Sequence, residues 1–200
     1  MRILDLTTFK LITIGTLIMK KTLLTGTLLS ILSFGAIAET PSFNYVDLGY
    51  SNWDFDGANS SIDGFELKVS RQINDMFYIA GDFNRLSNNG ASVNLTTLGL
   101  GYMNNFSEST TFFAELDYAN ISPENSSSEN GFEITTGIRS MLTPQFELKG
   151  AVEYLSLDND DITSLVVGGA YNFTDTFAVY ADYKVESDLN RLGVGIRINF

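Results

Sequence analysis

The feature that most constrains this chain is an alternation. From Phe43 to Phe200 it repeats one device: stretches of 10–12 residues in which apolar side chains alternate with polar or small ones, separated by clusters of Asn, Asp, Ser, Gly and Pro. A period of two puts successive side chains on opposite faces, so each stretch reads as a β-strand with one oily face and one polar face. Ten such strands are expected, near 43–53, 64–73, 76–86, 93–104, 110–120, 131–141, 146–157, 163–173, 176–187 and 190–200. None carries a helical period, and none of the three prolines interrupts a strand. The class is all-β.

Parity divides the charges. Of eighteen charged residues in these strands, sixteen share the polar face: Asp47, Glu66, Lys68, Asp82, Glu115, Asp117, Glu133, Arg139, Glu147, Lys149, Glu153, Asp182, Lys184, Glu186, Arg191 and Arg197. They comprise ten acids and six bases. The two exceptions, Arg71 and Arg85, fall near strand ends. A base on a lipid-facing wall costs about 2–4 kcal/mol at the bilayer midplane and little near the interfaces, so strand ends are where such residues are tolerated.

Alternation alone fits a soluble barrel with an oily inside as well as a membrane barrel with an oily outside. Three features favour the membrane barrel. The charged face also carries Gly49, Gly99, Gly101, Gly137, Gly168, Gly193 and Gly195, which would weaken a water-facing wall but relieve crowding in a lumen. Aromatic residues mark both ends of many oily stripes, as interfacial girdles do. The last strand ends on Phe200, with Val194, Ile196 and Ile198 on the same face. A strand edge in lipid would leave backbone groups unpaired, so the expectation is a closed antiparallel transmembrane barrel of ten strands, with eight as the alternative. Four connections are short (Asn74-Asp75, 105–109, 142–145 and 173–175), and several of the others, such as 54–63 and 121–130, look longer and more polar. Phe77, Phe112, Phe146 and Phe177 each open a strand after a short turn, 35, 34 and 31 residues apart. That is a repeat of hairpins and supports architecture alone.

Residues 1–38 read as a leader outside the fold. Met19-Lys20-Lys21 is a charged start, 22–35 a mostly apolar core, and Ala36-Ile37-Ala38 a small-residue cleavage site before Glu39. The apolar core is too short for the roughly 20 residues of a membrane helix. Residues 1–18 precede a signal peptide that is complete without them, which makes Met19 the expected initiator. The leader holds Arg2, Lys10, Lys20 and Lys21 against Asp5, so the remainder is three charges more acidic than the −12 of the whole chain.

With leader, alternation and terminal Phe in hand, residues 39–200 resemble the small outer-membrane β-barrel domain family that includes OmpA- and OmpX-like barrels. The segments Asn44–Tyr50 (NYVDLGY) and 64–83 are similar to a sub-group of exported barrels once proposed as quorum-signal precursors. The resemblance implies a Gram-negative outer membrane, contact with its lipid and lipopolysaccharide, and delivery by the barrel assembly machinery. It also implies that Val194, Ile196, Ile198 and Phe200 form the C-terminal assembly signal. A monomer is expected. The best-known small barrels have eight strands, so ten puts a transfer of their lumen packing in doubt.

The chemistry of the chain is sparse. It has no Cys and no His, which removes disulfides, thiolate sites and the commonest general base. The enzymes known among outer-membrane barrels use histidine, so no such mechanism transfers and no enzyme or cofactor is expected. The acidic balance disfavours nucleic acid. The expected outer loops hold Asp54, Asp56, Asp63, Glu124, Glu129, Asp158, Asp160, Asp161 and Asp188 and no base. Asp158, Asp160 and Asp161 are a weak candidate for a divalent cation, lacking the glycine and distal glutamate of an EF-hand loop. Two function classes remain: a structural or surface-interaction barrel plugged by its own charges, or a narrow cation-preferring pore.

Overall fold

The computed structural model describes residues 39–55, 61–88, 91–124, 126–158 and 160–200; the expected leader, Asp56 and Asn159 lie outside them. The described chain forms ten strands: β1 (Tyr45–Phe55), β2 (Ser61–Gln72), β3 (Phe77–Asn88), β4 (Ala91–Asn105), β5 (Thr110–Pro123), β6 (Glu129–Met141), β7 (Phe146–Leu157), β8 (Asp161–Asn172), β9 (Phe177–Val185) and β10 (Leu189–Asn199). Each pairs antiparallel with the next, and β1 pairs with β10 from Tyr45↔Asn199 to Phe55↔Leu189, closing the barrel. Closure leaves no strand edge to be satisfied by lipid. Ten strands stand, and the eight-strand alternative falls.

The strand ends differ from the expectation on one side. β3 runs to Asn88 and β4 starts at Ala91; β5 runs to Pro123 and β6 starts at Glu129. The connections at this loop end therefore run from two to five residues, against four at each turn, so the expected contrast in length is nearly lost. Pairing continues past the oily band because a hairpin ladder satisfies the backbone in water as well as in lipid. Asp54, Asp63, Glu129 and Asp161, read as loop acids, sit within strands. At the turn end, Phe43 precedes β1 and Phe200 follows β10 by one residue. The Phe200 N–H still donates to the Asn44 carbonyl at 3.2 Å. Glu186 also lies one residue beyond its strand.

The outward face is the oily one. Leu98, Leu116, Leu100, Val167, Val194 and Ile196 are all exposed, Leu98 by 66 %, which in a water-soluble barrel would be the wrong way round. Rings gather at both rims: Phe77 with Tyr102 (5.8 Å), Phe106 with Phe112 (6.1 Å) and Tyr171 with Phe173 (5.1 Å) at the turn end, and Phe132 with Tyr154 (6.3 Å) toward the loop end. This is the girdle pattern of a chain seated between two interfaces. Arg85 is exposed on the outward face, as is Arg71, whose guanidinium lies 5.2 Å from the Phe200 ring.

Candidate functional site

The inward face converges on a lumen, and all sixteen sequence-selected charges turn into it. They settle in two layers. Nearer the turn end, Arg197 on β10 makes a two-pronged pair with Asp47, its direct partner on β1, at 2.8 Å for both contacts. Arg139 on β6 makes the same fork with Glu147 on β7, at 2.6 and 2.9 Å. Arg197 also reaches Glu147 at 3.5 Å, joining the two pairs across the interior. Asp47, Arg139, Glu147 and Arg197 are all buried. Planar forks of this kind are the strongest geometry a guanidinium offers a carboxylate.

Aromatic rings fill the rest of this layer. Phe43 turns back into the barrel mouth, 3 % exposed, and packs on Tyr78 (4.5 Å) and Phe113 (6.3 Å). The Ser70 hydroxyl holds its carbonyl at 2.8 Å. Arg139 lies 4.5 Å from the Phe43 ring and Arg197 4.0 Å from the Tyr45 ring, so both cations are capped by aromatic faces. Lys149 stands 5.7 Å from the Phe113 ring, and Tyr78 donates to Glu115 at 2.5 Å.

The second layer is strung between more distant strands. Lys68 on β2 reaches past β1 and β10 to Asp182 on β9 at 2.8 Å, and contacts Glu66 at 3.0 Å. Glu66, wholly buried, also accepts from Tyr180 at 2.9 Å and pairs with Arg191. Arg191 lies 4.0 Å from Asp82 and 5.6 Å from the Trp53 ring. Lys184 pairs with Glu153 at 2.5 Å and with Glu186 at 3.6 Å, and Ser164 donates to Glu186 at 3.1 Å.

Two acids stay out of this network. Asp117 on β5 and Glu133 on β6 stand directly opposite each other, and neither has a base within ion-pair distance among the described residues. With Glu115 they make one acidic wall of a chamber of about 100 Å³ whose other wall holds Lys68, Lys149, Lys184 and Arg191. A smaller space of about 30 Å³ lies in the first layer. Asn84 Oδ1, at the chamber wall, and an Arg139 nitrogen are buried without a partner.

The lumen glycines do not add free space, contrary to what ten strands and so many glycines suggest. Tyr78 lies across its neighbour Gly101, where a Cβ would run into the ring, and Tyr180 lies across Gly49 and Gly195 in the same way. These three glycines are sockets in which lumen rings lie on the wall, while Gly99, Gly168 and Gly193 lie under the carboxylates of Asp117, Asp182 and Glu66. These rings (Tyr45, Tyr78, Phe113 and Tyr180) share the parity of the charges, so alternation contained them. Phe43 precedes the first ladder pair, and no sequence signal distinguishes it from a strand residue.

The other selected residues lie elsewhere. Asp158, Asp160 and Asp161 are exposed, Asp161 as the first residue of β8 opposite Ser156. No three acidic side chains converge as a metal site among the described residues. Val194 and Ile196 are exposed on the outward stripe of β10, Ile198 is half-buried, and Phe200 projects past the strand.

By sequence, residues 24–199 match the outer membrane protein beta-barrel domain. The chain belongs to that family. Its place is accordingly the outer membrane. Comparison with curated proteins finds no match. Among solved structures, the COG4313 outer membrane channel from Pseudomonas putida F1 superposes with a TM-score of 0.50 at 12 % identity, over 83 % of this chain and 98 % of that one. The KdgM porin in complex with disordered oligogalacturonate gives 0.49 at 16 % identity, over 78 % and 99 %. Ail, the attachment invasion locus protein of Yersinia pestis, gives 0.33 at 17 % identity, over 77 % and 97 %. At 12 % identity the first of these likenesses speaks for the fold alone.

Proposed function

We propose that this protein is a non-enzymatic outer-membrane barrel with a structural or surface-interaction role, its lumen closed by its own side chains. The observation that carries this reading is the first layer: two Arg–carboxylate forks joined through Arg197 and Glu147, sealed by the Phe43 ring. An ion passing there would have to separate buried pairs whose partners have no other counter-charge of comparable geometry, at a cost of several kcal/mol for each ion stranded. The absence of histidine and cysteine supports the non-enzymatic part. We further infer that residues 1–38 are the export leader, cleaved before Glu39, and that the protein is monomeric and delivered by the barrel assembly machinery.

One observation favours the second reading, a narrow cation-preferring pore. Asp117 and Glu133 face the upper chamber without a base, and rings of acids select cations. The deciding experiment is single-channel recording of the purified barrel in a planar bilayer. The closed reading predicts silence in the wild type and conductance in an Arg139→Gln, Arg197→Gln variant. Steady cation-selective current in the wild type, reduced by Glu115→Gln with Asp117→Asn, would establish the pore instead.

A further inference from the structure

Asp117 and Glu133 stand directly opposite each other on the β5–β6 ladder, and like charges so placed destabilise a sheet. Asp117 is 3 % exposed, and a buried charge without a partner is costly. The bases of the chamber are engaged elsewhere. Lys184 is taken by Glu153, Arg191 by Glu66, and Lys68 by Asp182 and Glu66. Lys149 lies 5.7 Å from the Phe113 ring and within ion-pair distance of no acid among the described residues. Glu115, the third acid of that wall, accepts from the Tyr78 hydroxyl. Six acids line the chamber against four bases, so an excess of two negative charges remains even with Lys149 counted.

Asn84 points to the same occupant independently. It is wholly buried at the wall of this chamber, and its Oδ1 has no partner. The amide is held in that sense by its Nδ2, which donates to Asp82. Asp117, Glu133 and Asn84 therefore present oxygen acceptors, the ligands of a hard cation. One divalent ion cancels the excess of two charges. Ca²⁺ takes about six to eight oxygens, and no three acids converge as a cage among the described residues. Mg²⁺ keeps several of its waters and needs only one or two carboxylates. The chamber of about 100 Å³ has room for about three waters at roughly 30 Å³ each.

We propose that this chamber holds one partly hydrated Mg²⁺ between Asp117 and Glu133, with Asn84 Oδ1 as the neutral oxygen beside them. The site lies on the loop side of the Arg139 and Arg197 forks, so it stands whether or not that layer conducts. The test is calorimetric titration of the barrel, refolded from denaturant into a zwitterionic detergent free of lipopolysaccharide and stripped with EDTA. One Mg²⁺ per barrel is expected, with a Kd of about 10⁻⁴–10⁻³ M, the weak end for oxygen-ligand sites. Ca²⁺ should bind more weakly. Asp117→Asn should weaken Mg²⁺ binding roughly tenfold, the loss of one charge-assisted contact, and Asp117→Asn with Glu133→Gln should abolish it. The loop variant Asp158→Asn, Asp160→Asn, Asp161→Asn should bind as the wild type does. The Asp117→Asn, Glu133→Gln variant also lacks the repulsion that the ion relieves. In EDTA it should unfold at a higher urea concentration than the wild type, and Mg²⁺ should raise the midpoint of the wild type alone. No saturable binding to the wild type below about 10 mM would overturn the proposal and mean that the two carboxyls hold protons instead, an arm that needs no variant to fold. Wild-type affinity in the folded Asp117→Asn, Glu133→Gln variant would overturn it too, as would tighter binding of Ca²⁺ than of Mg²⁺.

Discussion

Replacing Arg197 with glutamine leaves Asp47 buried without its counter-charge. In the intact barrel Asp47 is 0 % exposed and takes both prongs of Arg197 at 2.8 Å, and Arg197 is its ion-pair partner among the described residues. Glu147 loses a contact at 3.5 Å but keeps its own fork from Arg139. Tyr45 loses the cation 4.0 Å from its ring. Removing one partner of a buried pair costs about 3–5 kcal/mol, and the lost ring contact about 0.5–2 kcal/mol more. The two overlap, so the expected loss is about 3–5 kcal/mol in all. Adding Asp47→Asn removes the stranded charge and should restore part of that loss. Trp53 is the only tryptophan and stands in the lumen beside Arg191, so its fluorescence reports on this interior. Urea unfolding in phospholipid vesicles then measures the wild type, both single variants and the double. A loss under about 1 kcal/mol in Arg197→Gln, or a double variant as costly as the two singles added together, would refute the reasoning.

Phe43→Ala should destabilise the barrel by about 3–5 kcal/mol in the same assay, since the ring is buried against Tyr78, Phe113 and Arg139. Arg71→Gln, which loses only an exposed ring contact, should cost about 1 kcal/mol or less. Deleting Phe200 should reduce the amount of folded protein in the outer membrane, read by heat-modifiable gel mobility of membrane fractions; unchanged levels would remove it from the assembly signal. Cysteines at Leu98, Val152 and Val194 should resist a water-soluble maleimide in intact membranes and react in denaturant. An Asp158→Asn, Asp160→Asn, Asp161→Asn variant should respond to a chelator as the wild type does, since no three acids converge there among the described residues; a sensitivity lost in the variant alone would place a cation in that loop.

What was legible in the sequence follows from what a two-residue period encodes. It sorts residues between two faces, so Lys68, Asp182 and their fourteen companions were separable from Leu98 and Val194 before any strand was placed. It does not say where pairing stops: Asp54, Asp63, Glu129 and Asp161 looked like loop because they are acidic, yet the hairpin ladder carries them. Nor does it say which charges meet. Lys68 and Asp182 are 114 residues apart, and their contact depends on closure and strand register. The role of the inward rings is hidden for a different reason. Tyr78 and Tyr180 sit on the charged face, but only their fit over Gly101, and over Gly49 and Gly195, turns glycines that look like vacancies into sockets.

The central claim is that ion pairs cross and fill the lumen in the membrane, and the Lys68–Asp182 contact tests it most directly because its strands are separated by two others. Solid-state NMR of the lipid-embedded protein, labelled with ¹⁵N at lysine Nζ and ¹³C at aspartate Cγ, measures that separation by dipolar recoupling, with Lys68→Met removing the signal for assignment. A closed lumen predicts strong coupling at direct-contact distance, given the 2.8 Å between Nζ and the carboxylate oxygen. No detectable coupling at this site would mean that water, not a counter-ion, lies between the two walls, and would contradict the account.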